Sequence, residues 1–311
     1  MTKIYLHTIQ ILKRIKCWPF DKQLTLLFPA LIFIIAALTG SWQEIAVNEN
    51  KVAIFCMVLF FAFIIAAQPL LNSNKISPRQ RWFLYQFWPV PAILLGYLLM
   101  RVFRLELAIE FFAIVQQDRL MIELDTLAFG QTLPLYIQHW ITPTLTLLME
   151  SAYLHFYYLL PIGSLIYFYW RQKNEQFLLM RRAIIYTLVG GFCCYFLMPV
   201  KGPIDFIPNQ FSIPLQAGHE IVYAAVNSFR FAYDCFPSLH TAIPWVTLLV
   251  SWSWHTPLVR LVILGMTLSI TLSTLYLRYH YGFDVLAGFL WAVLVACIVK
   301  SSVHNLPNRT I

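Results

Sequence analysis

Long apolar runs separated by short polar stretches dominate the chain. Eight of these runs approach the roughly 20 residues that an α-helix needs to cross a bilayer; they are 24–41, 52–71, 82–100, 151–170, 183–198, 241–254, 258–277 and 285–300. The sixth run is short, so we expect it to begin within the membrane interface. The pattern predicts an all-α polytopic membrane protein with about eight transmembrane helices.

The first 22 residues follow a different pattern. Apolar residues recur there at helical spacing between basic ones, which are Lys3, Lys13, Arg14, Lys16 and Lys22. A basic amphipathic helix of this kind lies on an anionic leaflet. The alternative, a signal peptide, would have its apolar core closer to Met1 and a small-residue cleavage site. We therefore predict a retained interfacial helix over 1–22 and a single membrane domain over 23–311.

Basic residues in the loops set the predicted orientation. They lie between the second and third runs, between the fourth and fifth, after the sixth and at the C-terminal end: Lys75, Arg79, Arg81, Arg171, Lys173, Arg181, Arg182, Arg260, Lys300 and Arg309. Cytoplasmic loops carry the excess of lysine and arginine, so we expect these loops and both termini in the cytoplasm. The segments 101–150, 199–240 and 278–284, together with 42–51, then face the other side. The first of them is expected to form one or two interfacial helices, which either roof a lipid site or only connect the runs.

Composition narrows the class of protein. Hydrophobic residues make up 59% of the 311 residues and charged residues 12%, with a mean hydropathy of +0.67. A soluble domain is about a quarter charged. The net charge of +8 fits cytoplasmic loops against anionic lipid, so we expect membrane lipids and not nucleic acid as partners. The six cysteines form no C-x-x-C pair, and we interpret them, Cys235 included, as packing residues.

Two polar stretches on the non-cytoplasmic side, 236–241 and 273–284, hold the candidate chemistry. In the first, proline and serine precede an apolar run and predict a helix start with His240 in its first turn. The free backbone N–H groups of a helix start favour phosphate. In the second, His280 and Asp284 share one helical face, so the carboxylate can hold one tautomer of the imidazole. Taken singly, the stretches could equally be an ordinary helix cap and a structural pair.

The combination of the two stretches is more specific than either part. An apolar hairpin joins them and returns the chain to the same membrane face. His240 and His280 can therefore flank one phosphoryl group, one attacking phosphorus and the other protonating the leaving oxygen. Arg278 lies at the same edge of the membrane and could neutralise a phosphate.

These residues resemble the phosphatidic-acid phosphatase type 2 superfamily, which also includes vanadium haloperoxidases. Its second motif, Pro-Ser-Gly-His, is similar to 237–240, with Leu239 in place of glycine. Its third motif, Ser-Arg, five residues, His, three residues and Asp, is similar to 273–284, with Thr274 in place of arginine. The surrounding residues look more like the branch that contains fungal inositol phosphorylceramide synthase and its bacterial relatives. The likeness is closest over 199–290 and looser back to 118.

The resemblance implies a six-helix phosphatase-like core in which His280 attacks phosphorus and forms a phosphohistidine. Asp284 would orient His280, and His240 would be the general acid toward the leaving alkoxide. Ser238 and the backbone N–H groups near Leu239 would bind phosphoryl oxygens. No cofactor and no metal are expected.

The cations of the superfamily are only partly matched. Its first motif is lysine, six residues, then Arg-Pro; Lys201 is the counterpart of the lysine, but Pro208 stands where the arginine is expected. The third-motif arginine is absent as well. Lys201, Arg278 and Arg230 are the cations that could compensate. Fewer cations suit a substrate phosphate with fewer charges, that is, a diester rather than a monoester.

We therefore predict an integral membrane lipid phosphotransferase or phosphatase, and favour transfer of a phospho-headgroup from a phospholipid to a lipid alcohol such as a sphingolipid precursor. Hydrolysis of phosphatidate or polyprenyl phosphates is the alternative. A metalloenzyme that uses both histidines and Asp284, or a non-enzymatic transporter or scaffold built on Glu150 and His155, are the other classes. The short loops favour a bacterial inner membrane with a periplasmic site, or a lumenal site in a eukaryote.

Overall fold

The computed structural model describes residues 18–41, 76–215, 219–227 and 230–304, and these residues are predominantly helical. Within these ranges no strand occurs, and an isolated parallel bridge joins Val200 to Asp234. The α-helices, in chain order, are α1 (Phe20–Thr39), α2 (Pro78–Phe87), α3 (Pro89–Val102), α4 (Leu105–Phe111), α5 (Asp118–Phe129), α6 (Leu133–Ile137), α7 (Pro143–Ser151), α8 (Tyr157–Trp170), α9 (Asn174–Leu197), α10 (Pro203–Phe206), α11 (His219–Asn227), α12 (Leu239–Ser251), α13 (Pro257–Tyr276) and α14 (Gly282–His304).

Five helical stretches of the described chain are long and apolar enough to cross a membrane. They are α1, the consecutive helices α2 and α3, and then α9, α13 and α14. Each coincides with a predicted apolar run, so the predicted all-α polytopic membrane fold is confirmed. The predicted run 52–71, and the predicted interfacial helix as far as residue 17, lie outside the described residues.

Two of the predicted runs are helical but are not continuous spans of full length. The run 151–170 consists of the end of α7, a π-helical segment at Ala152–Phe156, and α8. The run 241–254 corresponds to α12, which has 13 residues and ends in a 3-10 turn at Trp252–Trp254. Thirteen residues of α-helix are about 20 Å long, shorter than the roughly 30 Å hydrocarbon core.

Helix α12 lies between other helices and begins with one of the polar stretches. It packs against α8, α9, α13 and α14. Two glycines allow the closest of these approaches. A Cβ on Gly288 of α14 would lie 2.4 Å from the Ser238 carbonyl oxygen, and a Cβ on Gly191 of α9 would lie 2.4 Å from Cδ2 of Leu239. The start of α12 is therefore held against the helix that carries Asp284.

The short helices α4, α5 and α6 occupy the segment that we expected to be interfacial, and α5 is joined to the start of α14. Asp125 of α5 is fully buried. Its carboxylate accepts hydrogen bonds from the backbone N–H groups of Leu133, Gly282 and Phe283 at 3.0, 3.0 and 2.8 Å. A helix N-terminus leaves N–H groups unsatisfied and carries the positive end of the helix dipole, so a carboxylate stabilises it.

A buried ion pair joins the first membrane helix to α9. Arg181 and Asp21 are both fully buried, with 2.6 Å between Nη2 and Oδ2. Beside them, Nζ of Lys22 donates to the Tyr85 carbonyl oxygen at 2.8 Å. Since α1 begins at Phe20, Lys22 belongs to this membrane helix in the structure, although the sequence pattern groups it with the basic N-terminal segment.

Candidate active site

His280 and Asp284 form the predicted pair at the start of α14. Nδ1 of His280 lies 3.3 Å from Oδ1 of Asp284, and the two residues are 3% and 0% exposed. The other carboxylate oxygen, Oδ2, accepts a hydrogen bond from the backbone N–H of Tyr281 at 3.1 Å. With Nδ1 facing the carboxylate, Nε2 is the nitrogen of His280 that can react.

Cys235 adds a third member to this pair that the sequence pattern did not reveal. Its thiol donates to Oδ2 of Asp284 at 2.7 Å and lies 3.4 Å from Nδ1 of His280. Burial and the nearby Asp284 raise the pKa of the Cys235 thiol well above its ordinary value, so it stays protonated as a donor. The interpretation of Cys235 as a packing residue therefore omitted a contact with the candidate dyad.

The same three side chains are the group that could hold a metal ion in the described part of the chain. One ligand atom each from Cys235, His280 and Asp284 lies within 4.8 Å of the others. The metal set considered from the sequence included His240, whose ring centroid is 6.3 Å from that of His280. In the structure Cys235 takes the place of His240 in this group.

His240 lies in the first turn of α12, between two tyrosine rings. The ring centroids of Tyr153 and Tyr157 are 4.0 and 4.1 Å from that of His240, and both rings are stacked on it. Tyr153 lies within the π-helical segment at Ala152–Phe156, and Tyr157 directly follows it. Burial, His280 and Arg230 lower the pKa of His240 well below its ordinary value. The two aromatic faces attract cations and so partly oppose this loss of the protonated imidazole that a general acid requires.

Ser238 and Leu239, which precede His240 in the same polar stretch, point in different directions. Ser238 is fully buried, and its hydroxyl oxygen accepts hydrogen bonds from the backbone N–H and the hydroxyl of Thr241 at 3.3 and 3.1 Å. The structure thus places the Ser238 side chain in the helix cap. Leu239 lies next to the histidines, in the wall of the cavity described below.

One cavity brings the two histidines together. It has a volume of about 370 Å³ and is lined by His240, His280 and Leu239, together with many aromatic side chains. Tyr153 and Tyr279 form part of this wall. A mostly apolar cavity with a few converging polar groups is typical of a ligand site.

A protein-family model described as the PAP2 superfamily matches residues 122–298, which is more than half of the chain. The chain belongs to the PAP2 superfamily. Searches of curated proteins and of solved structures gave no significant match. The PAP2 superfamily comprises phosphatases and phosphotransferases, and with the apolar helices the membership supports an integral membrane protein. The superfamily predicted from the motifs is confirmed, whereas its inositol phosphorylceramide synthase branch stays a prediction.

Arg230 is the cation that lines the cavity among the described residues of this PAP2 protein. Its guanidinium contacts Asp234 at 2.8 Å, Asp205 at 3.1 Å and the Lys201 carbonyl oxygen at 3.1 Å. Burial would lower the pKa of Arg230, but Asp234 and Asp205 outweigh it, so the pKa is raised well above its ordinary value. Asp234 also lines the cavity and accepts a hydrogen bond from the Tyr97 hydroxyl at 2.7 Å. Arg230 is therefore already paired with two carboxylates and is not a free cation.

The two other expected cations lie outside the cavity wall. The backbone N–H of Lys201 donates to Asp118 at 2.9 Å, while its Nζ lies 5.4 Å from the ring centroid of Tyr233. Arg278 donates to the Ile213 carbonyl oxygen, and its Cζ is 4.1 Å from the ring centroid of Phe211. Burial lowers the pKa of Arg278 to about 10. The structure thus brings His240, His280, Asp284 and Leu239 together, and directs the Lys201 and Arg278 side chains elsewhere.

Some residues around the site were not predicted from the sequence. Tyr153 and Tyr157 are four positions apart, a spacing that places them on one helical face but does not identify His240 as their partner. Asp118 belongs to no recognisable sequence motif. Its carboxylate nevertheless accepts hydrogen bonds from the Tyr281 hydroxyl and from the backbone N–H of Gly202 at 2.9 and 3.0 Å. Such contacts join segments far apart in the chain, so no local pattern indicates them.

Proposed function

We propose that this PAP2 protein is a lipid phosphotransferase that acts through a phosphohistidine at His280. One observation carries the proposal: His280, already oriented by Asp284, and His240 line the same cavity. A nucleophile with its orienting carboxylate and a separate proton donor are the groups that phosphoryl transfer through a covalent intermediate requires.

The reaction has two steps. In the first, Nε2 of His280 attacks phosphorus, the bond from phosphorus to the leaving oxygen breaks, and His240 gives its proton to that oxygen. In the second, the hydroxyl of an acceptor attacks the phosphorus of the phosphohistidine, His240 takes the hydroxyl proton back, and His280 is released. Asp284 orients His280 and stabilises positive charge on its ring throughout.

The charges around the cavity support a phosphodiester substrate, because the arginine in the described part of its wall is already paired with carboxylates. Arg230 is neutralised by Asp234 and Asp205, and Lys201 and Arg278 point elsewhere. A phosphomonoester dianion would bring two negative charges into this apolar site, where unpaired charge is costly. A phospholipid diester brings one. This favours headgroup transfer, as in the inositol phosphorylceramide synthase branch, over hydrolysis of phosphatidate or polyprenyl phosphates.

The side of the membrane follows from the loop charges. Lysine and arginine concentrate in the loops opposite to the two polar stretches, so the catalytic cavity opens at the non-cytoplasmic face, with the termini in the cytoplasm. Both substrates are lipids in this account. The donor supplies the phosphodiester, and a lipid alcohol in the same leaflet accepts it.

Transfer of a radiolabel tests this function. Purified protein is incubated with phosphatidylinositol or phosphatidylglycerol labelled in the headgroup phosphate, with and without ceramide or diacylglycerol. We expect labelled acceptor lipid with the wild type and with His139→Ala, an exposed histidine that serves as control. His280→Ala should lower the rate at least about a thousandfold. Release of label as water-soluble phosphate would instead indicate a phosphatase, and equal rates for the wild type and His280→Ala would refute the proposal.

A further inference from the structure

A second histidine–carboxylate pair lies outside the proposed catalytic dyad. Nδ1 of His219, at the start of α11, is 2.8 Å from Oε1 of Glu150 in α7. The two residues are 6% and 4% exposed. Removing both groups from water is costly, and apolar residues of similar volume often stabilise a fold as well or better. Stability alone is therefore a poor explanation for this pair.

The pair lies at one end of the cavity that holds the catalytic histidines. Glu150 precedes the cavity residue Leu154 by four positions, and His219 precedes the cavity residue Val222 by three. Residues at these spacings share one face of a helix. Tyr279, which directly precedes the nucleophile in the chain and lines the cavity, has its ring centroid 6.3 Å from that of His219. The pair therefore lies beside the cavity wall, next to Tyr279.

Two buried polar atoms at this end have no hydrogen-bond partner within the described residues. They are Nε2 of His219 and the hydroxyl oxygen of Tyr279. An unpaired buried polar group is costly, and native structures usually satisfy such groups with a ligand or an ordered water. A tyrosine hydroxyl is a hydrogen-bond donor, so Tyr279 can donate to a bound group.

We propose that Glu150, His219 and Tyr279 form a hydroxyl-binding subsite of the phosphotransferase, an inference that rests on the proposed function. In the tautomer whose Nδ1 donates to Glu150, Nε2 of His219 accepts a hydrogen bond, and the Tyr279 hydroxyl donates one. A hydroxyl group both donates and accepts, so a single hydroxyl satisfies both atoms. The Glu150 carboxylate disfavours an anion at this position. The hydroxyl comes either from the acceptor alcohol or from a polyol headgroup of the donor.

Two conservative substitutions test the subsite. Tyr279→Phe removes only an unpaired hydroxyl, so it should leave the thermal unfolding temperature unchanged or raise it. Glu150→Gln keeps the shape of the side chain but removes its negative charge, which weakens the hydrogen bond with Nδ1 of His219. Tyr136→Phe is the matched control, because Tyr136 is exposed on α6 and is not part of the cavity wall. Each variant is measured with labelled phosphatidylinositol as donor and ceramide as acceptor, and labelled enzyme and labelled ceramide are followed separately.

The two sources of the hydroxyl predict different results. If it belongs to the acceptor, Tyr279→Phe forms labelled enzyme at the wild-type rate and its KM for ceramide rises about tenfold. If it belongs to the donor headgroup, formation of labelled enzyme slows about tenfold and the KM for ceramide is unchanged. If Tyr279→Phe and Glu150→Gln match the wild type in both steps, the pair holds only a structural water and the inference is refuted. A wild type that yields neither labelled enzyme nor labelled ceramide would instead overturn the proposed function.

Discussion

Replacing Asp125 with asparagine tests how the helix that carries Asp284 is held. In the structure, Oδ2 of Asp125 accepts from the N–H groups of Leu133 and Gly282, both at 3.0 Å, and Oδ1 accepts from that of Phe283 at 2.8 Å. An asparagine oxygen in the place of Oδ2 would keep the first two hydrogen bonds. Its NH2 group would then face the Phe283 N–H, a donor against a donor.

The magnitude follows from these contacts. Losing one charge-assisted hydrogen bond and leaving one buried N–H unpaired should lower the free energy of unfolding by about 2–4 kcal/mol. At about 2 °C per kcal/mol for a chain of this size, Tm should fall by at least about 4 °C. The N–H left unpaired is that of Phe283, the residue directly before Asp284, so kcat/KM for phosphotransfer should also fall about tenfold through displacement of the dyad.

The assay is thermal unfolding of the detergent-solubilised protein, with phosphotransfer measured on the same preparation. Glu123→Gln is the control, because Glu123 is exposed on the same helix and the change likewise converts a carboxylate to an amide. We expect Glu123→Gln to unfold and react like the wild type. An Asp125→Asn variant with wild-type Tm and wild-type activity would refute the claim that Asp125 holds the start of α14.

Three further substitutions probe the surroundings of the dyad. Cys235→Ala should lower kcat about tenfold because it removes the thiol that donates to the dyad carboxylate, whereas Cys235→Ser keeps a donor and should retain most activity; equal steady-state rates for the two would contradict this. Tyr157→Leu removes one ring stacked on His240 and should lower kcat, while Tyr157→Phe should not, and identical rates in the two variants would count against the stacking role. Gly288→Ala places a Cβ 2.4 Å from the Ser238 carbonyl oxygen and should lower Tm, whereas Gly265→Ala meets nothing within 4 Å and should not; similar Tm values would contradict the close helix contact.

Much of the architecture could be predicted because a membrane constrains the length and polarity of a helix. The apolar runs that became α1, α9, α13 and α14 are readable one segment at a time. Two of the predicted runs differ from continuous membrane-spanning helices. Helix α12 has 13 residues, packs among four other helices and continues into a 3-10 turn, so its run is shorter than a full span. The π segment at Ala152–Phe156 follows no periodic pattern in the sequence.

The contacts of the candidate site could likewise be predicted only in part from the sequence. The pairing of His280 with Asp284 could be predicted from their spacing of four positions, which on a helix brings two side chains onto one face. In the structure, however, His280 lies two residues before the start of α14, so the pair forms at the turn that leads into the helix. The direction of Arg278 could not be predicted, because its backbone adopts a left-handed φ of 66° after α13 and its side chain lies over Phe211. The contacts of Cys235 with Asp284, of Glu150 with His219 and of Arg230 with Asp205 could not be predicted either, since each joins separate segments of the chain.

Trapping the enzyme intermediate tests the central claim most directly. Purified protein is mixed briefly with phospholipid labelled in the headgroup phosphate, quenched in alkali, digested and mapped. We expect alkali-stable, acid-labile label on the peptide that contains His280. The label should be absent from the His280→Asn variant and should be removed from the wild type by added lipid alcohol. Labelled product formed without any labelled His280 peptide, or label on another residue, would contradict it.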